Sequence, residues 1–147
     1  MTAFVTAGAG FLLAVLWFDL MFDVQVRRAE RREEGIASIA AYYRRVTLEA
    51  YPMNRLVAVI MVGTLAALVV QAVDGDAPRW ASIASLALTL GAMGLAMGHT
   101  FGTGARLGTG RGAPDEQRRL AGLMLRDHLI CLGAIVAVLV LQLGFAR

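Results

Sequence analysis

The feature that most constrains this chain is the stretch from Arg118 to Gly144, in which Arg126-Asp127-His128 leads directly into a long apolar run that begins at Leu129. A run of this kind cannot fold in water without a matching apolar shell, whereas about 20 residues suffice to cross a bilayer core roughly 30 Å thick. The whole chain is 58% hydrophobic with a mean hydropathy of +0.63, and soluble domains hold only about 45 to 50% apolar residues. The sequence therefore predicts a membrane protein whose last span has an ionisable end.

Apolar runs long enough to be transmembrane helices occur four times. They occupy about residues 2–22, 54–73, 80–101 and 120–145. Pro52 suits the first turn of the second span, where its missing N–H breaks no hydrogen bond, and Trp80 can anchor the third span at the interface. Between the third and fourth spans, Gly102 to Gly112 holds five glycines and is predicted to be a flexible connector. The predicted fold is all-α: one integral membrane domain built as a four-transmembrane-helix bundle.

Arginine positions predict how the bundle is oriented. All fourteen cationic residues are arginine; the loop from Val24 to Tyr51 carries six of them, the loop from Gly102 to Arg119 carries four, and the turn from Asp74 to Arg79 carries one beside two acids. Because cytoplasmic loops are enriched in basic residues, both long loops are predicted to be cytoplasmic. Both termini are then expected on the outer side of a bacterial-type inner (plasma) membrane.

The first long loop contains a charged amphipathic segment. Ile36, Ile39, Tyr43 and Val46 follow helical spacing, and the two arginines that precede Val46 lie on another face. This pattern is typical of a helix that lies on the membrane surface, where its basic residues attract anionic headgroups. The alternative, a solvated charged connector, stays open.

Antiparallel spans bring scattered polar residues to one depth. The first and third spans end at the cytoplasmic side, and the second and fourth begin there, so eight residues are predicted to form one polar rim: Asp19, Asp23, Asn54, Arg55, His99, Arg126, Asp127 and His128. Ionisable groups within spans normally face the bundle or a wet cavity, which indicates a site. Alternatively, residues this close to the interface simply reach headgroups and water.

Helical spacing predicts specific pairings within the rim. Asp19 and Asp23 share a face of the first span, because residues four apart are neighbours on a helix, and their carboxylates could hold a metal or a proton. Arg126 is aligned with the small residues Gly133 and Ala137, which predicts that it points inward. An inward guanidinium needs a carboxylate, so an ion pair between Arg126 and Asp19 is predicted.

Candidates for catalysis or metal binding are few. Asp19, Asp127 and His128 are the candidate catalytic residues. His99 and His128 lie on neighbouring antiparallel spans at similar depth and could together ligate a haem iron or a metal ion; alternatively, each donates to a backbone carbonyl or a carboxylate. The single cysteine, Cys131, is predicted to be a small packing residue. The identity of any cofactor stays open.

Small residues predict where helices approach closely. On the third span a stripe follows the three-and-four spacing of one helix face: Ala84, Ala87, Gly91, Gly94 and Gly98. Such a stripe lets two helix backbones come together. The favoured partner is the fourth span of the same chain, through Gly133 and Ala137, and the alternative is a helix of another subunit.

Three short motifs carry a resemblance to a known family. They are Trp17-Phe-Asp-Leu-Met-Phe-Asp23 at the end of the first span, Tyr42-Tyr43-Arg44-Arg45-Val46-Thr47 before the second, and the pair Arg126 and His128 early in the fourth. With these motifs the chain resembles, over nearly its full length, the anthrone oxygenase-like family of small four-helix membrane proteins. The resemblance implies a four-helix membrane fold. It also implies an oxygenase activity, which is the activity of the members that gave the family its name.

Functions from two different classes are compatible with these patterns. The leading expectation is a non-catalytic accessory or assembly subunit that packs against other membrane subunits or forms a homo-oligomer within the lipid bilayer. The alternative is a membrane-embedded oxygenase or redox enzyme acting on a lipophilic ring compound, or a haem- or metal-binding membrane protein; a transporter or proton path would use the same carboxylates. Nucleic acid is excluded as a partner, because the positive-inside role already accounts for the arginine-rich segments.

Overall fold

The computed structural model describes residues 1–27, 32–49, 51–75 and 77–146. Its long elements are helices: α1 (Thr2–Asp23), α2 (Arg32–Tyr43), α3 (Tyr51–Asp74), α4 (Arg79–Leu95), α5 (Phe101–Gly108) and α6 (Pro114–Phe145). A tighter 3₁₀ turn, Val24–Arg27, follows α1, and wider π-helical turns follow α2 (Arg44–Glu49) and α4 (Ala96–Thr100). Of the charged residues used above to predict the orientation, Arg28, Arg31 and Asp76 lie outside the described residues.

Among the described residues, segments long and apolar enough to cross a membrane occur four times: Thr2–Arg27, Pro52–Asp74, Arg79–Gly108 and Pro114–Phe145. They correspond to the four predicted spans, so the prediction of an all-α fold with four helices able to cross a membrane is confirmed. The Thr2 hydroxyl donates to the carbonyl oxygen of Ala146 at 2.9 Å. Both termini therefore lie at one end of the bundle, called here the terminal end, and α2 and α5 lie at the other, the loop end.

The long helices form a closed ring in which each contacts two neighbours. α1 packs against α3 and α6, and α4 packs against the same two helices. Apolar side chains fill the centre of the ring: Val5, Ala9, Leu12, Leu68, Ile135 and Val138. Large apolar side chains such as Phe4, Val59 and Val73 remain exposed on the outer faces, as expected for helices that are surrounded by lipid chains.

Glycines bring α1 and α3 together, but not the pair of helices that the sequence favoured. A Cβ at Gly8 would lie 3.1 Å from the Cβ of Thr64 on α3 and closer still to its hydroxyl. By contrast, a Cβ at Gly91, Gly94 or Gly98 would meet nothing within 4 Å. The favoured close contact between α4 and α6 through this stripe is therefore wrong.

The reason is the rotation of α4 about its own axis. The residues that α4 buries are Ala81, Ser82, Ser85 and Thr89. At about 100° per residue, the mean direction of these four side chains lies more than about 130° around the helix from Gly91 and Gly94. The predicted stripe consequently faces away from the bundle, with Ala87 exposed and Ala84 half-buried. On α6, Gly133 is likewise exposed and Ala137 half-buried.

The loop end is capped by α2, which packs on α5 and α6. Ile39 and Tyr43 of α2 are buried against Leu107, Leu120 and Met124. The apolar face that the sequence assigned to a membrane surface is thus covered by the protein itself at these two positions.

The segment predicted to be a flexible connector is instead the helix α5, which extends the third span to Gly108. A Cβ at Gly108 would lie 2.9 Å from the backbone nitrogen of Arg44, and the Arg44 side chain donates from Nε to the Gly108 carbonyl at 3.2 Å. The glycine is therefore needed for the close packing of this segment against the end of α2, rather than for flexibility.

Candidate functional site

A buried cluster of polar side chains lies where α1, α2 and α6 meet at the loop end. We call it the loop-end cluster, and its members are Asp19, Asp23, Tyr42, Tyr43 and His128. The carboxylates of α1 are one helical turn apart and so face the same way. α2 places the two tyrosines against these carboxylates, and the antiparallel α6 supplies the histidine.

His128 and Tyr43 both contact the carboxylate of Asp23. His128 Nδ1 lies 2.6 Å from Asp23 Oδ2, and the Tyr43 hydroxyl donates to Asp23 Oδ1 at 2.8 Å. The same hydroxyl lies 3.3 Å from His128 Nδ1. The Asp23 side chain is 0% exposed and that of His128 is 7% exposed. Asp23 therefore fixes the orientation of the imidazole ring and directs Nε2 away from itself.

The second nitrogen of His128 faces Asp19 across a gap. His128 Nε2 and Asp19 Oδ2 are 3.9 Å apart, which is too far for a hydrogen bond. The other oxygen of Asp19, Oδ1, accepts a hydrogen bond of 2.6 Å from the Tyr42 hydroxyl. A hydroxyl oxygen placed beside the pair, about 2.8 Å from both atoms, would accept from Nε2–H while it donates to Oδ2.

Aromatic packing holds the two tyrosines in place. The ring of Phe22 stacks on that of Tyr42 at 4.1 Å, and Tyr42 meets Tyr43 edge-on at 5.3 Å. Burial and the adjacent Asp19 carboxylate raise the pKa of Tyr42. Burial and the Asp23 carboxylate do the same for the pKa of Tyr43. Both phenols consequently stay protonated at neutral pH and act as hydrogen-bond donors to the carboxylates.

A second, more open group surrounds Asp127. Its Oδ2 atom contacts His99 Nδ1 and accepts a hydrogen bond from the Thr100 hydroxyl at 3.4 Å. Its Oδ1 atom accepts hydrogen bonds from Arg126 Nε at 3.2 Å and from Arg126 Nη2 at 3.0 Å. Asp127 is 0% exposed, whereas His99 is 40% exposed. His99 and Thr100 both belong to the π-helical turn after α4, and such turns are frequent at functional sites.

The predicted ion pair between Asp19 and Arg126 is wrong. Arg126 is 59% exposed and binds its sequence neighbour Asp127. It shares a helix face with Gly133, which is also exposed, so this face of α6 is turned away from the bundle. The residue that approaches Asp19 from α6 is His128.

The two histidines of the polar rim do not act as a pair. His99 binds Asp127 and His128 binds Asp23, as the alternative of separate carboxylate partners predicted. Within the part of the chain that the structure describes, no group of three or more His, Cys, Asp or Glu side chains is arranged to hold a metal ion. Asn54 and Arg55 lie on an exposed part of α3. Cys131 is buried, and its thiol is directed at the Ala92 carbonyl at 3.7 Å.

Sequence reasoning missed Tyr42 and Tyr43 as members of the site. The available signal was that Tyr43 falls on the apolar face of α2 at helical spacing, which indicates burial. That the buried hydroxyl would meet Asp23 depends on how α2 folds back on α1, and no local pattern encodes this.

An apolar groove between α1 and α6 is separate from the cluster. Its volume is about 440 Å³, and its walls include Gly10, Trp17 and Val136. Gly10 and Asp19 are nine residues apart, which at about 100° per residue places them on opposite sides of α1. The groove therefore opens on the outer surface and not on the carboxylates.

Comparison of the chain with protein-family models, with curated proteins and with solved structures finds no match. Fold and site together define a class of protein: a bundle of four helices able to span a membrane, with a buried Asp–His–Tyr cluster at one end.

Proposed function

We propose that the loop-end cluster is an acid–base site for a lipophilic compound that carries a weakly acidic hydroxyl group. The observation that carries this proposal is the gap of 3.9 Å between His128 Nε2 and Asp19 Oδ2, with Nδ1 of the same ring held by Asp23. Buried ionisable groups inside a membrane bundle are costly, which favours a functional reason for keeping them. This proposal corresponds to the membrane-enzyme alternative, to which the resemblance to the anthrone oxygenase-like family also points.

Each member of the cluster has a distinct role in this proposal. Asp19 takes the hydroxyl proton on Oδ2. His128, protonated on both nitrogens, donates from Nε2–H to the oxygen and stabilises the oxyanion that forms. Asp23 orients the ring and balances its charge, as a buried carboxylate does for a catalytic histidine. Tyr42 and Tyr43 position the two carboxylates through their hydroxyl groups.

A dye-binding experiment tests these roles. A nitrophenol with an alkyl chain is titrated into the purified protein in nanodiscs, and its phenolate absorbance is followed as the pH is varied. His128→Gln should raise the pKa of the bound dye by about one unit, because the oxyanion loses its cationic donor and keeps at most a neutral one. Asp19→Asn should weaken binding of the neutral phenol about tenfold, because the hydroxyl loses its charged acceptor.

The matched control is Asp115→Asn, whose carboxylate is 90% exposed near the start of α6. It should bind and ionise the dye as the wild-type protein does. Wild-type behaviour of both cluster variants would rule out the acid–base role.

A second candidate function is that of an assembly subunit, as the sequence led us to expect. The observation that favours it is the outward stripe of Gly91, Gly94 and Gly98, each with open space where a Cβ would stand. Glycines in this arrangement suit close approach by a helix of another membrane subunit or of a second copy. Gly94→Leu should then lower the size of the assembly purified in mild detergent, and an unchanged size would exclude the stripe as an interface.

The orientation remains the one that the arginines favour: both termini outside and the loop end in the cytoplasm of a bacterial-type inner membrane. The support is the excess of arginine in the two long loops, since Lys and Arg in short loops favour the cytoplasmic side. In this orientation the loop-end cluster lies near the cytoplasmic surface.

A further inference from the structure

Polar side chains recur along the interface between α4 and α6. Near the terminal end, Gln142 Nε2 donates to Ser85 Oγ at 3.0 Å. In the middle, the Cys131 thiol points at the Ala92 carbonyl at 3.7 Å. At the loop end, the Thr100 hydroxyl donates to Asp127 at 3.4 Å. Each contact joins the third span to α6, so the polar positions follow the whole interface.

On the buried face of α4, hydroxyl groups lack a hydrogen-bond partner at two further positions. Ser82 is 0% exposed and Thr89 is 1% exposed, and neither hydroxyl oxygen has a partner among the described residues. Leaving a buried hydroxyl unsatisfied costs about 1–3 kcal/mol, and in folded proteins such groups normally bind internal water. A water molecule beside each hydroxyl would satisfy it.

The polar positions are spaced so that short files of water can connect them. Ser82, Ser85, Thr89 and Ala92 follow each other at steps of three and four residues, which correspond to rises of about 4.5–6 Å on one helix face. Two hydrogen bonds of about 2.8 Å that meet at one water at a near-tetrahedral angle bridge about 4.5 Å. From Ser82 to Thr100, whose hydroxyl donates to Asp127 on α6, the third span rises about 25 Å, most of a hydrocarbon core of roughly 30 Å.

Each end of the line leads to a polar group near an end of the bundle. At the terminal end, Gln142 Oε1 accepts from Gln71 Nε2, which also donates to Thr2 beside the Ala146 carbonyl. At the loop end the line reaches Asp127 and its partner His99, whose side chain is 40% exposed.

We propose that a file of water molecules along the α4–α6 interface conducts protons between the terminal end and the Asp127–His99 pair. A proton that enters the water file beside Gln142 passes from water to water and to the hydroxyls of Ser85 and Thr89, each water or hydroxyl oxygen accepting one proton and releasing another. It reaches Asp127, moves to His99, and leaves to water at the exposed imidazole. One positive charge crosses for each proton, and only O–H and N–H bonds form and break.

Thr89 is the critical position of this path. The antiparallel register that joins Ser85 to Gln142 places Thr89 opposite Val138, which is fully buried in the apolar core. At this level α6 offers no polar atom, so the Thr89 hydroxyl has to support the water file. The path does not use the loop-end cluster, so either proposal can fail without the other.

Proton flux into liposomes tests the path. The purified full-length protein is reconstituted into vesicles that hold a pH-sensitive dye, and a potassium diffusion potential set with valinomycin drives protons inward. The wild-type protein should acidify the lumen faster than protein-free vesicles do. Thr89→Val, which keeps the side-chain shape but removes the hydroxyl, should lower the protein-dependent flux about tenfold. Thr89→Ser should retain the flux.

The matched control is Thr64→Val on α3, because the Thr64 hydroxyl is buried but already bonded to the Ile60 carbonyl of its own helix. It should conduct as the wild-type protein does. A wild-type flux equal to that of empty vesicles would overturn the proposal. So would equal fluxes for Thr89→Val and the wild-type protein, or a loss in Thr64→Val as large as that in Thr89→Val, since flux would then follow the general integrity of the bundle.

Discussion

The carboxylate of Asp23 is fully buried, and side chains from two other helices satisfy it. His128, which is 105 positions away in the sequence, contacts Oδ2, while Tyr43 donates to Oδ1. A charge at this depth without a partner would be strongly destabilising. The Asp23–His128 contact therefore links the first and last spans strongly. It takes the role that the sequence predicted for an ion pair between Asp19 and Arg126.

A double-mutant cycle measures this link. Asp23→Ala and His128→Ala should each lower the free energy of unfolding by roughly 3 kcal/mol or more, because each leaves the other group buried and unpaired. The double variant should lose less than the sum of the two. Unfolding in mixed micelles, followed by circular dichroism, supplies the four free energies, and additivity within about 0.5 kcal/mol would show that the groups are not coupled.

The control cycle uses Asp19 and Arg126. Arg126 is mostly exposed and its guanidinium is bound to Asp127, so the losses from Asp19→Ala and Arg126→Ala should add. A large coupling free energy between Asp19 and Arg126 would instead support the ion pair that the sequence predicted.

An alkaline titration is informative about Tyr42 and Tyr43, because the chain has no lysine side chain that would titrate in the same pH range. Burial and the adjacent carboxylates raise the pKa of both phenols in the folded state, whereas unfolded tyrosine titrates near pH ~10. Their contribution to stability is thus complete below about pH 10 and is lost as the pH rises toward the folded pKa. The free energy of unfolding of the wild-type protein should fall above pH ~10 more steeply than that of the Tyr42→Phe, Tyr43→Phe double variant. Parallel curves would contradict the raised pKa values.

Among the elements, α5 determines the position of α2 and thereby of the tyrosines. The backbone of α2 and its π-helical turn lies against Gly108, where a Cβ would come 2.9 Å from Arg44 N and 3.0 Å from Tyr43 C. These neighbours are backbone atoms, so they cannot rotate aside as a side chain could. Any substitution at Gly108 has to move α2 as a whole.

Alanine substitution at Gly108 should therefore disturb the loop-end cluster. Gly108→Ala should displace Tyr43 from Asp23 and lower the melting temperature, whereas Gly102→Ala in the same helix has open space and should be neutral or stabilising by up to about 1 kcal/mol through helix propensity. Thermal unfolding in detergent gives both values, and the fluorescence of the tyrosines reports the displacement. Equal melting temperatures would show that α2 does not depend on this contact.

At the scale of the whole molecule, the ring of four long helices places both termini together at one end. The described parts of the two long loops, with their arginines, are then at the other end, and the positive-inside rule relates this asymmetry to the membrane. If the termini were cytoplasmic, ten arginines of the two long loops would have to cross the membrane.

Reporter fusions to the carboxyl terminus test the orientation. Alkaline phosphatase fused after Arg147 should be active, because it folds outside the cytoplasm, and a fluorescent protein fused there should be dark. The same two reporters inserted between Gly110 and Gly112 should give the reverse pattern. A fluorescent reporter and an inactive phosphatase at the carboxyl terminus would show that the topology is the opposite of the one proposed.

The sequence by itself determined the number of helices long and apolar enough to span a membrane, their approximate bounds and the end of the bundle to which Asp19, Asp23 and His128 belong. These properties depend on the length of apolar runs and on the alternation of direction from one span to the next, which are local or additive along the chain. The expectation that Asp19, Asp23 and His128 lie at one end of the bundle followed from the same alternation, and the structure brings these three together.

The rotation of each helix about its axis was decided only by the tertiary structure. It turned Arg126 outward and His128 inward, placed Gly91, Gly94 and Gly98 on an outer face, and folded Tyr42 and Tyr43 over the carboxylates. The physical reason is that lipid chains are as apolar as the core of a membrane bundle, so the outer and inner faces of a span carry similar residues. Side-chain periodicity then says little about which face is inside, and the packing of particular pairs, such as Gly8 on Thr64 and Asp23 on His128, makes the choice.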